Sequence, residues 1–410
     1  MYDPAITPRT LSLTLRRADF RRIAYLRDAR VLSVLLRAAC RVSRTIGSPV
    51  LHAFQTSVVR GKRINHVIDF RFELILRKLN SNLRYSIRHR SQNRDLLVKT
   101  ICEIVRDTNS YNVLRLDIAS FYESVDNSEL FKLLEPNFVA NATSRRLLLA
   151  LASWHQGNGG TGLPRGLSTS ATLSDIYMKA FDEKCQSSPH FFYYCRYADD
   201  ILIISDPSVG EKATYKRVHK MLPAGLDLNR SKSRFYNVPT PAGSSNAVRF
   251  EYLGYQITVR DGANNRTRRS VTVDIAPKKV AKIKTRMHLS FMEFARSGDF
   301  KLLLNRVQFL SGNYKVLDKN GKFNRLAGIF YNYSRADLGS SSAIPSLDKY
   351  LQAKIISSVP TTGPSPPHHL TGSQKRELLR NSFTKGFATR GIRNFSPSRL
   401  SEIQECWKYA

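Results

Sequence analysis

Two carboxylates stand side by side at Asp199 and Asp200, between the apolar runs Phe191-Phe192-Tyr193-Tyr194 and Ile201-Leu202-Ile203-Ile204. Aromatic and β-branched runs of this length predict two strands, joined at Ala198-Asp199-Asp200. Asp is common in such turns because its side chain bonds nearby backbone, and a bare hairpin is the plainest reading. A third acid sharpens it. Asp117 closes the apolar stretch Leu114-Arg115-Leu116-Asp117-Ile118, and it comes beside the hairpin tip if the strands pair. Three crowded carboxylates repel one another, and a hard divalent cation with oxygen ligands offsets that repulsion. Two such ions roughly 3.5–4 Å apart stabilise both the attacking and the leaving oxygen of an in-line phosphoryl transfer.

Charge points to the partner. Lys and Arg number 65 against 32 Asp and Glu, a net of +33 in 410 residues. Residues 1–100 hold 21 basic against 6 acidic, residues 101–276 hold 21 against 18, and residues 277–410 hold 23 against 8. Two basic arms therefore flank a nearly neutral centre that keeps its acids. Self-repulsion of this size destabilises a compact chain, so a polyanion is expected, and nucleic acid fits better than an anionic membrane. No charge-free stretch reaches the ~18 residues of a membrane span. The start, Met1-Tyr2-Asp3-Pro4, lacks the order of a signal peptide. The five cysteines are scattered without a C-x-x-C pair, which argues against a disulfide framework or zinc knuckle and for a reducing, cytoplasmic setting.

Elsewhere the spacing predicts helices over about 11–45, 68–83 and 145–155. A Gly-rich loop follows at 157–166, and Ser168 is the expected cap of a helix over 169–184. Strands are expected at 112–118, 248–259 and 270–275, and helices from Pro277 to about 356, with segments at 278–294, 302–316 and 325–338. Residues 359–373 form a Pro/Ser/Gly linker before a short tail with Trp407.

The stretches LRLDIASFYESVD (114–126), GLPRGLSTSATLSDIYM (162–178) and YADDILI (197–203) resemble motifs A, B and C of reverse transcriptases, in order. GLDLNRSKSRF (225–235) is similar to motif D, and FEYLGYQI (250–257) to motif E. The resemblance implies an α+β right-hand polymerase with an antiparallel-sheet palm. Residues 1–63 would be a basic helical N-terminal region, 64–110 fingers, and 111–276 palm with a fingers insertion at about 136–165. Residues 277–358 would be a helical thumb, 359–373 a linker and 374–410 a C-terminal tail segment. It further implies two Mg²⁺, or Mn²⁺, held by Asp117 and Asp199 with either Asp200 or the Ile118 carbonyl.

Residue by residue, the family's sugar-sensing position falls on Tyr122, whose ring would clash with a ribose 2′-OH; of the pair Phe121 and Tyr122, Phe121 is the expected core aromatic. Around Arg165 and Gly166 the backbone is expected to approach the nascent base pair. Most relatives carry Gln where Arg165 stands, and a guanidinium there can hold phosphate instead. Lys232 is placed either to protonate the departing pyrophosphate or to neutralise it. For the triphosphate, Arg90 and Arg94 are the favoured cations.

FYESVD, FLSGNY, GIFYNYS and the terminal SEIQECWKYA look similar to abortive-infection-like and defence-associated reverse transcriptases of bacteria. Class 2 members work with a non-coding RNA encoded beside them. The expectation is thus an RNA-directed DNA polymerase in antiphage defence, taking an associated non-coding RNA as template and dNTPs as substrates and making cDNA. Two other readings stay open: template-independent or protein-primed DNA synthesis, and a non-catalytic RNA-binding scaffold.

Overall fold

The computed structural model describes residues 2–45, 53–59, 61–86, 93–137, 142–240, 247–261, 269–317, 324–357 and 369–408. They form two compact units: Met1–Gln92 with Ser110–Pro239, and Asn93–Asn109 with Thr240–Ala410.

The first unit opens with short helices α1 (Pro8–Ser12) and α2 (Arg17–Arg22), a single 3₁₀ turn at Ala24–Arg27, and α3 (Ala29–Arg44). The continuous helix expected over 11–45 is therefore broken. Asp28 explains the restart, because its carboxylate accepts from the Arg30 and Val31 N–H groups as an N-cap. A hairpin of β1 (Phe54–Val59) and β2 (Lys62–Val67) leads into α4 (Phe70–Ser86). That helix is buried on most sides, with Phe72, Leu76, Leu79 and Leu83 in the core and Arg77 neutralised on Asp19 at 2.7 Å.

A four-stranded antiparallel sheet follows, built from β3 (Tyr111–Asp117), β4 (Phe191–Tyr197), β5 (Asp200–Ser205) and β6 (Arg234–Val238) in the order β4-β5-β3-β6. Helices at Asn127–Asn137 and Ala142–Gly157 and the long α5 (Ser168–Gln186) lie between β3 and β4 in sequence, and α5 contacts β4. Ser168 is the first residue of α5 rather than its cap; the cap position is Leu167, with no side-chain bond. Central strands β3 and β5 carry apolar residues without alternation, since Val113, Leu114, Leu116 and Ile201 through Ile204 are all buried.

In the second unit β7 (Ala247–Tyr252), β8 (Tyr255–Arg260) and β9 (Ser270–Ile275) form an antiparallel meander. The single strand expected over 248–259 is itself a hairpin, turning at Leu253-Gly254, both with positive φ. Helices Pro277–Ser297 and Phe300–Ser311 come next, but the expected helix over 302–316 stops at Gly312 and gives way to β10 (Asn313–Leu317). β10 pairs antiparallel with β11 (Asn324–Gly328) and parallel with β12 (Ile392–Arg393). The region expected to be wholly helical thus contains a small sheet. The chain's end is no loose tail either: helices Gly372–Leu379, Phe383–Thr389 and Pro397–Glu405 pack into this unit's core, where Trp407 is buried beside Phe309. Among the described residues no helix is long and apolar enough to cross a membrane.

Candidate active site

Pairing places the acids. β3 and β5 run antiparallel with Leu116 opposite Ile201 and Asp117 opposite Asp200. β4 and β5 close at Tyr197 opposite Asp200, which leaves Ala198-Asp199 as a two-residue turn. Ala198 holds φ +58, a left-handed conformation that costs a non-glycine residue about 1–2 kcal/mol. Strain of this kind persists only where surrounding structure over-determines it, and it clusters at working sites.

Each acid has its own surroundings. Asp117 Oδ2 lies 3.2 Å from Lys232 Nζ, and Asp200 Oδ1 accepts from Arg115 Nη2 at 3.3 Å. Asp199, half-exposed at the turn, forms no ion pair among the described residues. Burial raises the Asp200 carboxyl above its ordinary pKa; the Arg115 guanidinium opposes this, and the charges of Asp199 and Asp117 add to it. Ile118 is bridged to Leu228 through bonds from the flanking residues, Ala119 N to Asp227 O and Asn229 N to Asp117 O. The bridge therefore consumes neither the N–H nor the carbonyl of Ile118.

No three His, Cys, Asp or Glu side chains among the described residues converge into a ready-made metal cage. The donor set nonetheless suits a hard cation: three carboxylates stand on one sheet end, two directly opposed, and burial, with the neighbouring acids adding to it, raises the pKa of Asp200. Lys232 and Arg115 supply positive charge beside the acids.

Beneath the turn lies an arginine that sequence reasoning missed. Arg196 is 5% exposed, with Nη2 and Nε on Asp182 at 2.7 and 2.8 Å and Nη1 on Asp175 at 3.1 Å. The same Nη1 donates to the Ala198 carbonyl at 3.0 Å, so the guanidinium ties the strained turn to α5. The available signal was the seven-residue spacing of Asp175 and Asp182, which shares one helix face, read together with an Arg inside an apolar strand.

Other expected residues are placed as follows. Phe121 is buried in the core as expected of the pair's core aromatic, so its ring is not free to meet a nucleotide. Tyr122 is half-buried, and the Arg165 guanidinium lies over its ring at 4.8 Å. Arg165 forks onto Glu123, with Nη2–Oε2 at 2.9 Å, so its Nε and Nη2 are engaged by protein. Gly166 does face a backbone at close range, but that of the β1–β2 hairpin: a Cβ there would sit 2.3 Å from the Asn65 carbonyl at φ +94. Arg94 is spent inside the second unit, donating to the carbonyls of Leu253 and Asn332 and lying over the Tyr255 ring at 4.8 Å. It is a strut there rather than a free cation for a triphosphate. Arg90 lies outside the described residues. Apart from the acids' own partners, exposed Lys62 acts on Glu123 and exposed Arg63 on His155.

Residues 55–257 match the sequence profile of the family described as reverse transcriptase (RNA-dependent DNA polymerase). No curated protein is significantly similar in sequence. Among solved structures, telomerase from Candida albicans in complex with the TWJ fragment of telomeric RNA is 13% identical, with a TM-score of 0.32. The alignment covers 81% of this chain and 53% of that one, so the chain spans about half the length of that protein. The likeness is slight, and the assignment rests on the sequence profile together with the antiparallel sheet and its opposed acids. The matched segment holds every strand of that sheet, and through it the chain carries a reverse transcriptase domain, the fold of a nucleotidyltransferase.

Proposed function

We propose that this chain is an RNA-directed DNA polymerase that copies a structured non-coding RNA into cDNA in antiphage defence. The observation that carries the polymerase reading is the register that opposes Asp117 to Asp200 with Asp199 at the adjoining turn. Asp117 and Asp199 would hold two Mg²⁺, or Mn²⁺, with Asp200 or the Ile118 carbonyl completing the set. When bound, the ions supply Lewis-acid stabilisation of the attacking 3′-oxygen and of the departing pyrophosphate. Tyr122 narrows the sugar site against a 2′-hydroxyl, which selects dNTPs. Lys232, already 3.2 Å from Asp117, brings a proton or a positive charge to the leaving group.

RNA as the template is supported by how the basic arm is built. Residues 1–45 contain ten Arg, no Lys and three Asp. Arg30, Arg37, Arg41 and Arg44 lie exposed along one side of α3 and form no ion pair among the described residues. Such close like charges destabilise an isolated helix, whereas planar guanidinium groups suit phosphate forks and unstacked RNA bases. The defence role rests on the motif resemblance to class 2 defence-associated reverse transcriptases.

The test is to sequence the RNA and DNA that copurify with the protein, then assay extension on that RNA with dNTPs. Asp117→Asn and Asp199→Asn should each lower synthesis at least about 10³-fold while RNA affinity stays within threefold. Full activity in either variant, or synthesis that persists in excess chelator, refutes the polymerase reading. Copurification of heterogeneous cellular RNA without matching DNA refutes the dedicated template.

A further inference from the structure

The departure at Arg165 from the family's usual Gln has a structural counterpart. The loop Gly162–Gly166 is strapped onto the turn that follows β3: Leu163 N donates to the Tyr122 carbonyl at 2.7 Å. A Cβ at position 162 would lie 2.1 Å from that same oxygen, so only glycine, here at φ +60, permits the approach. From this strap the Arg165 side chain returns over the Tyr122 ring, 4.8 Å from guanidinium carbon to ring centroid. Its Nε and Nη2 close a bidentate fork on Glu123 at 2.5 and 2.9 Å. The Arg165 carbonyl meanwhile accepts from Asn65 N at 2.8 Å, which anchors the strap to the β1–β2 hairpin.

We infer that the Arg165–Glu123 fork is a positioning device that fixes the Tyr122 ring and thereby sets how strongly this polymerase rejects ribonucleotides. The inference rests on the reading of Tyr122 as the sugar-sensing residue. A ring with one face covered by a guanidinium cannot swing toward the loop to admit a 2′-hydroxyl. The fork selects Arg because Lys has no second coplanar donor, and Gln has neither the charge nor the reach of two parallel N–H groups. Side-chain exposures of 24% for Arg165 and 34% for Glu123 make the pair a weak contributor to folding, which leaves positioning as its main consequence. The charge of Asp199 also acts on the Tyr122 phenol, so the ring lies within electrostatic reach of the acids.

The test uses the full chain in steady-state single-nucleotide insertion opposite a template U, with dATP and ATP as probes. The readout is the ratio of kcat/KM for dATP to that for ATP, together with the thermal midpoint of each variant. Glu123→Gln should lower the ratio roughly three- to tenfold, mainly through a lower KM for ATP, with little change in thermal midpoint. Arg165→Lys should do the same, and Glu123→Gln/Arg165→Lys should be no worse than either change alone. Tyr122→Val separates the two layers. If it collapses the ratio while Glu123→Gln leaves the ratio within twofold of wild type, the fork is not the positioning device. If Tyr122→Val itself leaves the ratio unchanged, the sugar-sensing reading fails and the inference falls with it.

Discussion

Replacing Arg196 by Met tests whether the strained turn is held from beneath. The guanidinium is nearly solvent-free and satisfies two carboxylates and the Ala198 carbonyl at once. Methionine fills similar volume but leaves Asp182 and Asp175 without their cation; both side chains are about a quarter exposed. Breaking a buried pair by removing one partner costs about 3–5 kcal/mol, and the partial access of water to the acids argues for the lower end, near 3 kcal/mol. Urea unfolding followed by far-UV circular dichroism at pH 7 measures it. The companion variant, Arg196→Met with Asp182→Leu, removes the more closely paired of the two orphaned charges and should recover about half of the loss, because apolar replacement of a buried pair is often near neutral. DNA synthesis should remain impaired in that double variant, since nothing then holds the Ala198 carbonyl. A single-variant cost below about 1 kcal/mol, or a double variant no more stable than the single, refutes the buried-pair reasoning.

Two further outcomes follow from the same geometry. Asp200→Asn should stabilise the metal-free protein at pH 7 by up to about 1 kcal/mol, because a like charge directly across the strands from Asp117 is removed. The sign follows from the raised Asp200 pKa: ionisation is disfavoured in the fold, so its penalty is absent below the ordinary value of 3.8 and present in full above the raised one. Urea midpoints in chelator at pH 7 and at pH 4.5 check it, and the gain should shrink on acidification. Arg94→Met should destabilise the second unit by about 1–3 kcal/mol through lost bonds to the Leu253 and Asn332 carbonyls. The same change should leave KM for dNTPs unaltered, as single-turnover titration would show.

What the sequence disclosed was what repeats or abuts. The hairpin Phe191–Ser205 was legible because two apolar runs flank two residues with turn chemistry, and β3 because Tyr111–Leu116 is apolar but for Asn112 and Arg115 and ends on Asp117. The meeting of Asp117 with the hairpin tip could be anticipated from chemistry alone. Arg196 could not be seen, since its partners lie 14 and 21 residues away on α5 and only a register makes them neighbours. Arg94 misled for the opposite reason. A basic residue in an arginine-rich stretch reads as a free cation, whereas carbonyls 159 and 238 residues downstream take its donors. The helix expected over 302–316 failed at Gly312, where β10 finds partners on two later segments. Periodicity cannot report a pairing made with residues far along the chain.

A sheet that tolerates opposed acids must hold them by other means, and the magnitudes show which. Ile201, Leu202, Ile203 and Ile204 are at most 1% exposed. Each contributes about 1.5–3 kcal/mol on burial, so β5 alone brings roughly 6–12 kcal/mol as an upper bound. Against that stand about 1–2 kcal/mol for left-handed Ala198 and up to about 1 kcal/mol for the charges of Asp117 and Asp200 facing one another. The apolar strands win by a wide margin. β3 and β5 are buried on both faces, and the ladder that pairs Leu114 with Ile203 and Leu116 with Ile201 is the one that opposes Asp117 to Asp200. The acids cannot move apart without unmaking the sheet, and relief must come from added positive charge. Lys232, 3.2 Å from Asp117, and Arg115, 3.3 Å from Asp200, provide it.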